Sequence, residues 1–479
     1  MKSPIFDGLY KYAKIQLIPF NAPGHKGKVT MRAKNLSLLD LNGSSKDNDA
    51  LNLRELIYES EEGLTKKYKT LRTMYLRNGS TGGIYAMVGA YLRRGDKIIV
   101  DRECHRSVIN ALIIQGLEPI YVKRKQTFPY SICGGMDIDA LEKAIISNKD
   151  AKAVLITSPT YYGVVSDIKT ISRLCHAYGL KLLVDESLGG HFGFCQKLPQ
   201  SAISLGADIS VQSAHKTLGS FGGGGLMHIN DPEIDLQRIT DVVRMYESPE
   251  ASSAVLCTLE NSVYYALENS DRFERMLEDI EKCKKVICDN TAICWLGNEL
   301  KGQNFIFEMD PSRIVLNFSH AKITGYEAAD ILRNKGKIEV ESATESNVVF
   351  LVSIYNTTSE IKKLFHALAS LSKNVSGKSA VIEEETKSFL TEEEELKLTP
   401  EKAFNSSSEF VTAEDALGRI NKRIIYRLPD EVPMILPGER IKHHHLMEIS
   451  KLLSANGVVK GLGPQNTVEV VSITESFGI

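Results

Sequence analysis

From about residue 70 onward, short apolar, β-rich runs alternate with longer stretches of helical period, and this alternation restricts the fold more than any other feature of the chain. The runs at 96–101 (DKIIVD), 118–122 (EPIYV), 153–158 (AVLITS), 181–186 (KLLVDE) and 207–212 (ADISVQ) read as buried strands. Between them TGGIYAMVGAYLRRG, HRSVINALIIQG, DALEKAIISN and IKTISRLCHAYG read as helices, several of them closed by glycine. Such an order predicts a mostly parallel α/β sheet whose ligand crevice lies at the carboxyl ends of the strands. After about residue 300 the runs 313–319, 325–336, 338–343, 348–354 and 358–371 predict strand, helix, strand, strand, helix, a small α+β domain. The division expected is an N-terminal segment (1–65), a large domain (66–310), the small domain (311–372), an acidic linker (373–400) and a C-terminal domain (401–479).

Charge narrows the partners. Fifty-eight Lys and Arg against 60 Asp and Glu leave a net charge of −2 in 479 residues, which offers nothing to draw nucleic acid or an anionic membrane. No apolar run of about 18 residues could span a bilayer, and MKSPIFDGLYKYAKIQLIPF lacks the apolar core of a signal peptide. A cytoplasmic enzyme acting on a small molecule is the expectation. Cysteines 104, 133, 175, 195, 257, 283, 288 and 294 show no CxxC pairing, so reduced thiols are expected and zinc is not. The triplet HHH (443–445) invites a metal, but adjacent helical residues point about 100° apart. No Cys or acidic residue is spaced to complete a site, and no metal is expected.

Four strand ends carry chemistry. NGSTGG (78–83) opens a helix with Ser80, Thr81 and the amides of Gly82 and Gly83, which could cradle a phosphate or serve as an ordinary cap. VDES (184–187) puts Asp185 at a strand end, where it could pair with a cation or cap a helix. DRECHRS (101–107) puts His105 past another strand, as a face for a flat ligand or as a structural residue. SAHKTLGSFGGGG (213–225) sets Lys216 among small residues, as a cleared amine or a surface lysine. Its glycine run lacks the GxxxxGK[ST] order of a nucleotide loop and reads as a close approach of backbone to a cofactor or a second subunit. Anion cradle, ring face, carboxylate and amine together are what pyridoxal phosphate requires.

The strings PGHKG (23–27), NGST (78–81), CHRSV (104–108), TSPTYYGVVSDI (157–168), VDE (184–186), ADISVQSAHKTL (207–218) and PGE (437–439) resemble the Orn/Lys/Arg decarboxylase family, fold-type-I pyridoxal-phosphate enzymes. The resemblance implies that Lys216 holds the cofactor covalently, Asp185 holds its pyridine nitrogen and His105 its ring face. It also implies that Ser80, Thr81 and Ser213 hold the phosphate, with Gly82 and Thr160 nearby and His215 beside Lys216. It implies decarboxylation of lysine, ornithine or arginine to a polyamine precursor, in a homodimer or larger homo-oligomer with shared sites. Glu439 is the candidate reader of the substrate's distal charge. Leu188 stands in the substrate region where the family has a histidine or aromatic residue, GSFGGGG replaces a Ser-Ala-Leu-Thr-Gln-like stretch, and YRLP (426–429) replaces YPPG. These departures keep two alternatives open: the same cofactor with transamination, oxidation or carbon–carbon bond formation, and a non-catalytic paralogue acting as a binding partner.

Overall fold

Strands rich in Val, Ile and Leu on both faces must be covered on both faces, and the computed structural model of the chain shows how. It describes residues 3–28, 35–41, 52–127, 129–248, 251–288, 293–374, 394–455 and 457–472. Seven strands, β1 (Arg72–Leu76), β2 (Lys97–Asp101), β3 (Glu118–Val122), β4 (Ala153–Thr157), β5 (Lys181–Asp185), β6 (Ile209–Gln212) and β7 (Gly225–Ile229), form one sheet in the order β1-β7-β6-β5-β4-β2-β3. The five strands expected from the sequence pair in parallel. β1 and β7 complete the sheet, with β7 antiparallel to both its neighbours.

Alternation along each strand sorts the side chains into two cores. Ile98, Val100, Leu155, Leu183 and Val211 pack under α1 (Gly79–Tyr91) and α2 (Arg106–Gln115). Ile99, Val154, Ile156, Leu182 and Val184 pack under the helices Ile138–Ser147 and Ile168–Ala177. The second glycine of TGG serves this packing. A Cβ on Gly83 would lie 2.5 Å from a Leu76 methyl and 2.7 Å from a Val211 methyl, so its absence lets α1 lie tightly on the sheet.

The sheet of the 311–372 region takes in a strand from ahead of residue 311. Cys294–Leu296 pairs with Arg313–Asn317, which pairs in turn with Asn347–Leu351, so the outer strand of this sheet comes from ahead of the expected boundary. Helices Gly325–Gly336 and Thr358–Asn374 stand where the sequence put them. The N-terminal segment is tied in as well, since Ile18–Phe20 runs parallel to Ile338–Val340. Of the expected acidic linker, residues 375–393 lie outside the described residues. The C-terminal domain carries a three-stranded sheet of Ile425–Arg427, Pro433–Ile435 and Val459–Lys460, with helix His443–Ser454. Among the described residues no helix is long and apolar enough to cross a membrane.

Candidate active site

The carboxyl ends of β1, β2, β4, β5 and β6 converge on one cavity of about 490 Å³. Ser80, Thr81, His105, Thr160, Asp185, Leu188, His215 and Lys216 all line it, so the structure gathers into one place residues spread over 137 positions of chain. Gly82 lies in the same first turn of α1, and Ser213 donates from Oγ to Ser80 Oγ at 2.7 Å. That bond joins the end of β6 to the start of α1 and makes one polar cradle at the positive end of a 13-residue helix.

The glycine run builds this cradle from behind. Gly223 accepts the Gly79 amide at 2.6 Å, and Gly225 pairs with Leu76. The close approach read into the run is thus made, among the described residues, to the chain's own β1–α1 turn. Gly79 and Gly223, at φ +63° and +90°, hold the left-handed conformations that the crossing requires.

Lys216 sits in a single helical turn, Ala214–Thr217. Burial holds its amine below the ordinary lysine range, while the Asp185 carboxylate pulls the other way. Asp185 is buried and its Oδ1 accepts the Ser187 amide at 3.0 Å and the Ser187 hydroxyl. Next to Lys216, His215 donates from Nδ1 to the Gly224 carbonyl at 3.0 Å, which leaves Nε2 as the acceptor, and burial lowers its basicity. His105 is the N-cap of α2, where its Nδ1 accepts the Ser107 amide at 3.2 Å. Thr160 receives the Val164 amide on its hydroxyl at 3.1 Å.

These residues fit pyridoxal phosphate by the chemistry of their donors. A desolvated amine stands within electrostatic reach of a buried carboxylate, beside a hydroxyl-rich helix start.

Glu439 is a correction. Its carboxylate is 1% exposed and faces Arg102, with Nε to Oε1 at 3.0 Å and Nη2 to Oε2 at 2.9 Å, and it also accepts the Leu436 amide at 2.7 Å. It does not line the cavity. PGE is a structural turn: Gly438, at φ +88°, accepts the Lys397 amide at 2.8 Å, and a Cβ there would lie 2.0 Å from the Leu398 carbonyl oxygen.

Besides Asp185, the carboxylates that reach the cavity among the described residues are Glu103, Glu341, Asp430 and Glu431. Burial and the neighbouring Asp101 push the Glu103 carboxyl up to about 7. Asp430 and Glu431 come from the C-terminal domain with Arg427, out of the stretch where YRLP replaces YPPG. The departure was the only sign in the sequence that this loop enters the site.

The histidine triplet also finds an acidic partner that spacing did not reveal. Glu394 lies 3.2 Å from His444 Nε2 and 3.0 Å from His445 Nε2, with Lys123 Nζ at 2.8 Å on the same carboxylate. Because His445 Nδ1 accepts the Lys442 amide, its Nε2 carries the proton on the side that faces Glu394. The cluster is an ion-pair network that ties the 394–400 segment to the C-terminal helix.

Residues 3–322 match the Orn/Lys/Arg decarboxylase family, major domain. The chain is 30% identical over 471 residues to an arginine decarboxylase of Bacillus anthracis, covering 96% of this chain and 95% of that protein. It is 20% identical to the inducible lysine decarboxylase of Escherichia coli K12, over 91% of this chain and 75% of that one. In three dimensions it resembles the E. coli constitutive lysine decarboxylase, with a TM-score of 0.75 at 15% identity over 98% of this chain and 78% of that one. It resembles a ureidoglycine-glyoxylate aminotransferase from Bacillus subtilis less fully, with a TM-score of 0.52 at 14% identity over 68% and 87%.

Fold and cavity thus define an enzyme of fold type I, the architecture of pyridoxal-phosphate enzymes. Within that class the chain belongs to the Orn/Lys/Arg decarboxylase family, whose members are amino acid decarboxylases and so lyases.

Proposed function

We propose that this protein decarboxylates a basic amino acid with pyridoxal phosphate bound covalently through Lys216. The observation that carries the reading is the convergence of Lys216, Asp185, His105 and the Ser80–Thr81–Ser213 cradle on one cavity. Pyridoxal phosphate, when bound, supplies an electron sink for the pair left behind as carbon dioxide departs.

The protein's part is positioning. Thr81, Ser80 and Ser213 bind the phosphate at the start of α1. Asp185, oriented by Ser187, holds a proton on the pyridine nitrogen so that the ring can take up charge. His105, which lines the cavity, would support the ring face. Lys216, its amine lowered by burial, would hold the cofactor. Lys216 would be the group able to return a proton to the reacting carbon, with His215 Nε2 beside it as an acceptor. Leu188 and the tyrosines Tyr161 and Tyr162 keep the cavity poor in water, which favours loss of a charged carboxylate as neutral carbon dioxide.

Two findings support a basic substrate: relatives named arginine and lysine decarboxylases, and the carboxylates Glu103 and Glu341 on the cavity wall, where Asp430 and Glu431 are already paired with Arg427 and Arg106. The product would be a polyamine precursor. The partner inferred is a second copy of the chain, in the cytoplasm.

The test is a panel of arginine, lysine, ornithine and neutral and acidic amino acids, assayed for carbon dioxide and amine. One basic amino acid should be consumed with a single amine product, and Lys216→Ala should abolish both turnover and borohydride-fixed cofactor. Release of a keto acid without carbon dioxide would replace this reading by transamination. Bound cofactor with no turnover on any amino acid would favour the paralogue.

A further inference from the structure

His105 is held from two sides. On one side the start of α2 caps it, with the Ser107 amide donating to Nδ1 at 3.2 Å and the Ser107 hydroxyl 2.7 Å from the same atom. On the other side Glu431 Oε2 lies 3.0 Å from Nε2. Since Nδ1 is an acceptor, the proton of the neutral ring is on Nε2, the nitrogen that lies 3.0 Å from the carboxylate.

Glu431 is delivered there by a loop built for the purpose. It lies between strands Ile425–Arg427 and Pro433–Ile435 of the C-terminal domain. Arg427 Nε reaches both oxygens of Asp430 at 3.2 and 3.0 Å, and the Val432 amide donates to Asp430 Oδ1 at 3.3 Å. This clamp holds Glu431 at φ +52°, a left-handed conformation costly for a residue with a side chain. Glu431 also accepts from Arg106 Nε at 2.6 Å, and the Arg106 guanidinium lies 5.6 Å from the centre of the Tyr426 ring. Its bonds to His105 and Arg106 hold the Glu431 carboxyl at about 2, so it is a carboxylate throughout the neutral range.

We propose that Glu431 is a positioning residue for His105, holding in one plane an imidazole whose tautomer the Ser107 amide already sets, so that the C-terminal domain helps to assemble the cofactor pocket. An imidazole held at one nitrogen only keeps a broad, two-fold choice of ring torsion. Held at both, it presents one face to the cavity. The inference rests on the cofactor reading above only for its consequence; the hold on the ring belongs to the protein alone.

The competing explanation is that Glu431 merely ties down the loop through Arg106. Two substitutions separate the two. Glu431→Gln keeps a carbonyl oxygen for Nε2–H but removes the charge facing Arg106, whereas Glu431→Ala removes both. The experiment records imidazole ¹⁵N NMR of the protein freed of cofactor, with the His105 signals identified through His105→Asn. Titration with pyridoxal phosphate and thermal unfolding follow on the same samples.

Parent and both variants should show His105 as Nε2–H, since the Ser107 amide stays on Nδ1, while Glu431→Ala alone should shift and broaden the Nε2 signal as the ring loses its second partner. Glu431→Ala should bind the cofactor about tenfold more weakly, the scale of one lost hydrogen bond, and Glu431→Gln should recover most of that loss. An Nδ1–H or mixed tautomer in the parent overturns the proposal without recourse to any variant. So does Glu431→Ala with parental spectrum and affinity, or Glu431→Gln as impaired as Glu431→Ala. A parent that takes up no pyridoxal phosphate overturns the cofactor reading, while the His105 spectrum still judges the hold exerted by Glu431.

Discussion

A carboxylate acts according to what surrounds it, and the contrast between Asp185 and Glu439 shows this. Asp185 spends one oxygen on Ser187 and lines the cavity with Lys216. Glu439 spends both on Arg102. Asp185→Asn is expected to keep the cofactor and lose turnover by on the order of 10²–10³, because the amide no longer holds a proton on the pyridine nitrogen. The check is kcat alongside the cofactor absorption band, and parental turnover would make Asp185 an ordinary strand-end residue. Glu439→Gln leaves the buried Arg102 charge without its counter-ion and should cost about 3–5 kcal/mol of stability. Denaturant unfolding should reveal that loss while the order of preference among amino acids stays as in the parent. An unchanged stability with weakened basic substrate would put Glu439 back in the substrate site.

Among elements, the crossing of the glycine run over the β1–α1 turn decides whether the phosphate cradle forms. A Cβ on Gly225 would lie 2.8 Å from the Gln212 carbonyl oxygen and 3.2 Å from the Ser80 amide nitrogen, all of it backbone that cannot swing aside. A Cβ on Gly222 meets nothing within 4 Å. Gly225→Ala should therefore weaken cofactor binding by about tenfold or more, on the scale of a shifted hydrogen-bonding group, while Gly222→Ala binds as the parent does. Fluorescence titration of both apoproteins with pyridoxal phosphate makes the comparison. Equal affinities in the two variants would detach the run from the cradle and restore a contact with another molecule as its reason.

At the scale of the molecule, the N-terminal helix Pro4–Ala13 carries an apolar stripe left in solvent. Ile5 is 80% exposed, Phe6 66% and Leu9 67%, and Phe6 stacks on Tyr10 one turn later. Such a stripe on a helix joined to the domain around Ile18–Phe20 suits burial against a second copy, in line with the homo-oligomer expected of the family. Sedimentation of the full chain should show a dimer or larger assembly, and Phe6→Asp with Leu9→Asp should shift it toward monomer. A parent that sediments as a monomer, or a double variant that associates as before, would exclude this helix as the contact.

Periodicity and local chemistry determined a good deal. Strand–helix alternation specified the parallel core of the sheet, because strands buried on both faces are recognisable as short continuous apolar runs. Lys216, Asp185 and His105 could be singled out because each stands at the end of a strand legible in the sequence, and Ser80 and Thr81 because NGSTGG reads as a helix start; a parallel sheet brings such ends together whatever the details of packing. β1 and β7 were not legible: RTMYL and GLMHI are short and flanked by charged residues or glycine, and only pairing with each other identifies them as strands. Tertiary structure alone decided the rest, since contacts across hundreds of residues leave no local pattern. It set Glu439 on Arg102, brought Glu394 to the histidines 50 residues later, and carried Glu431 across 326 positions to His105. In each case a charged side chain followed the counter-charge or hydrogen-bond donor that the fold placed within its reach.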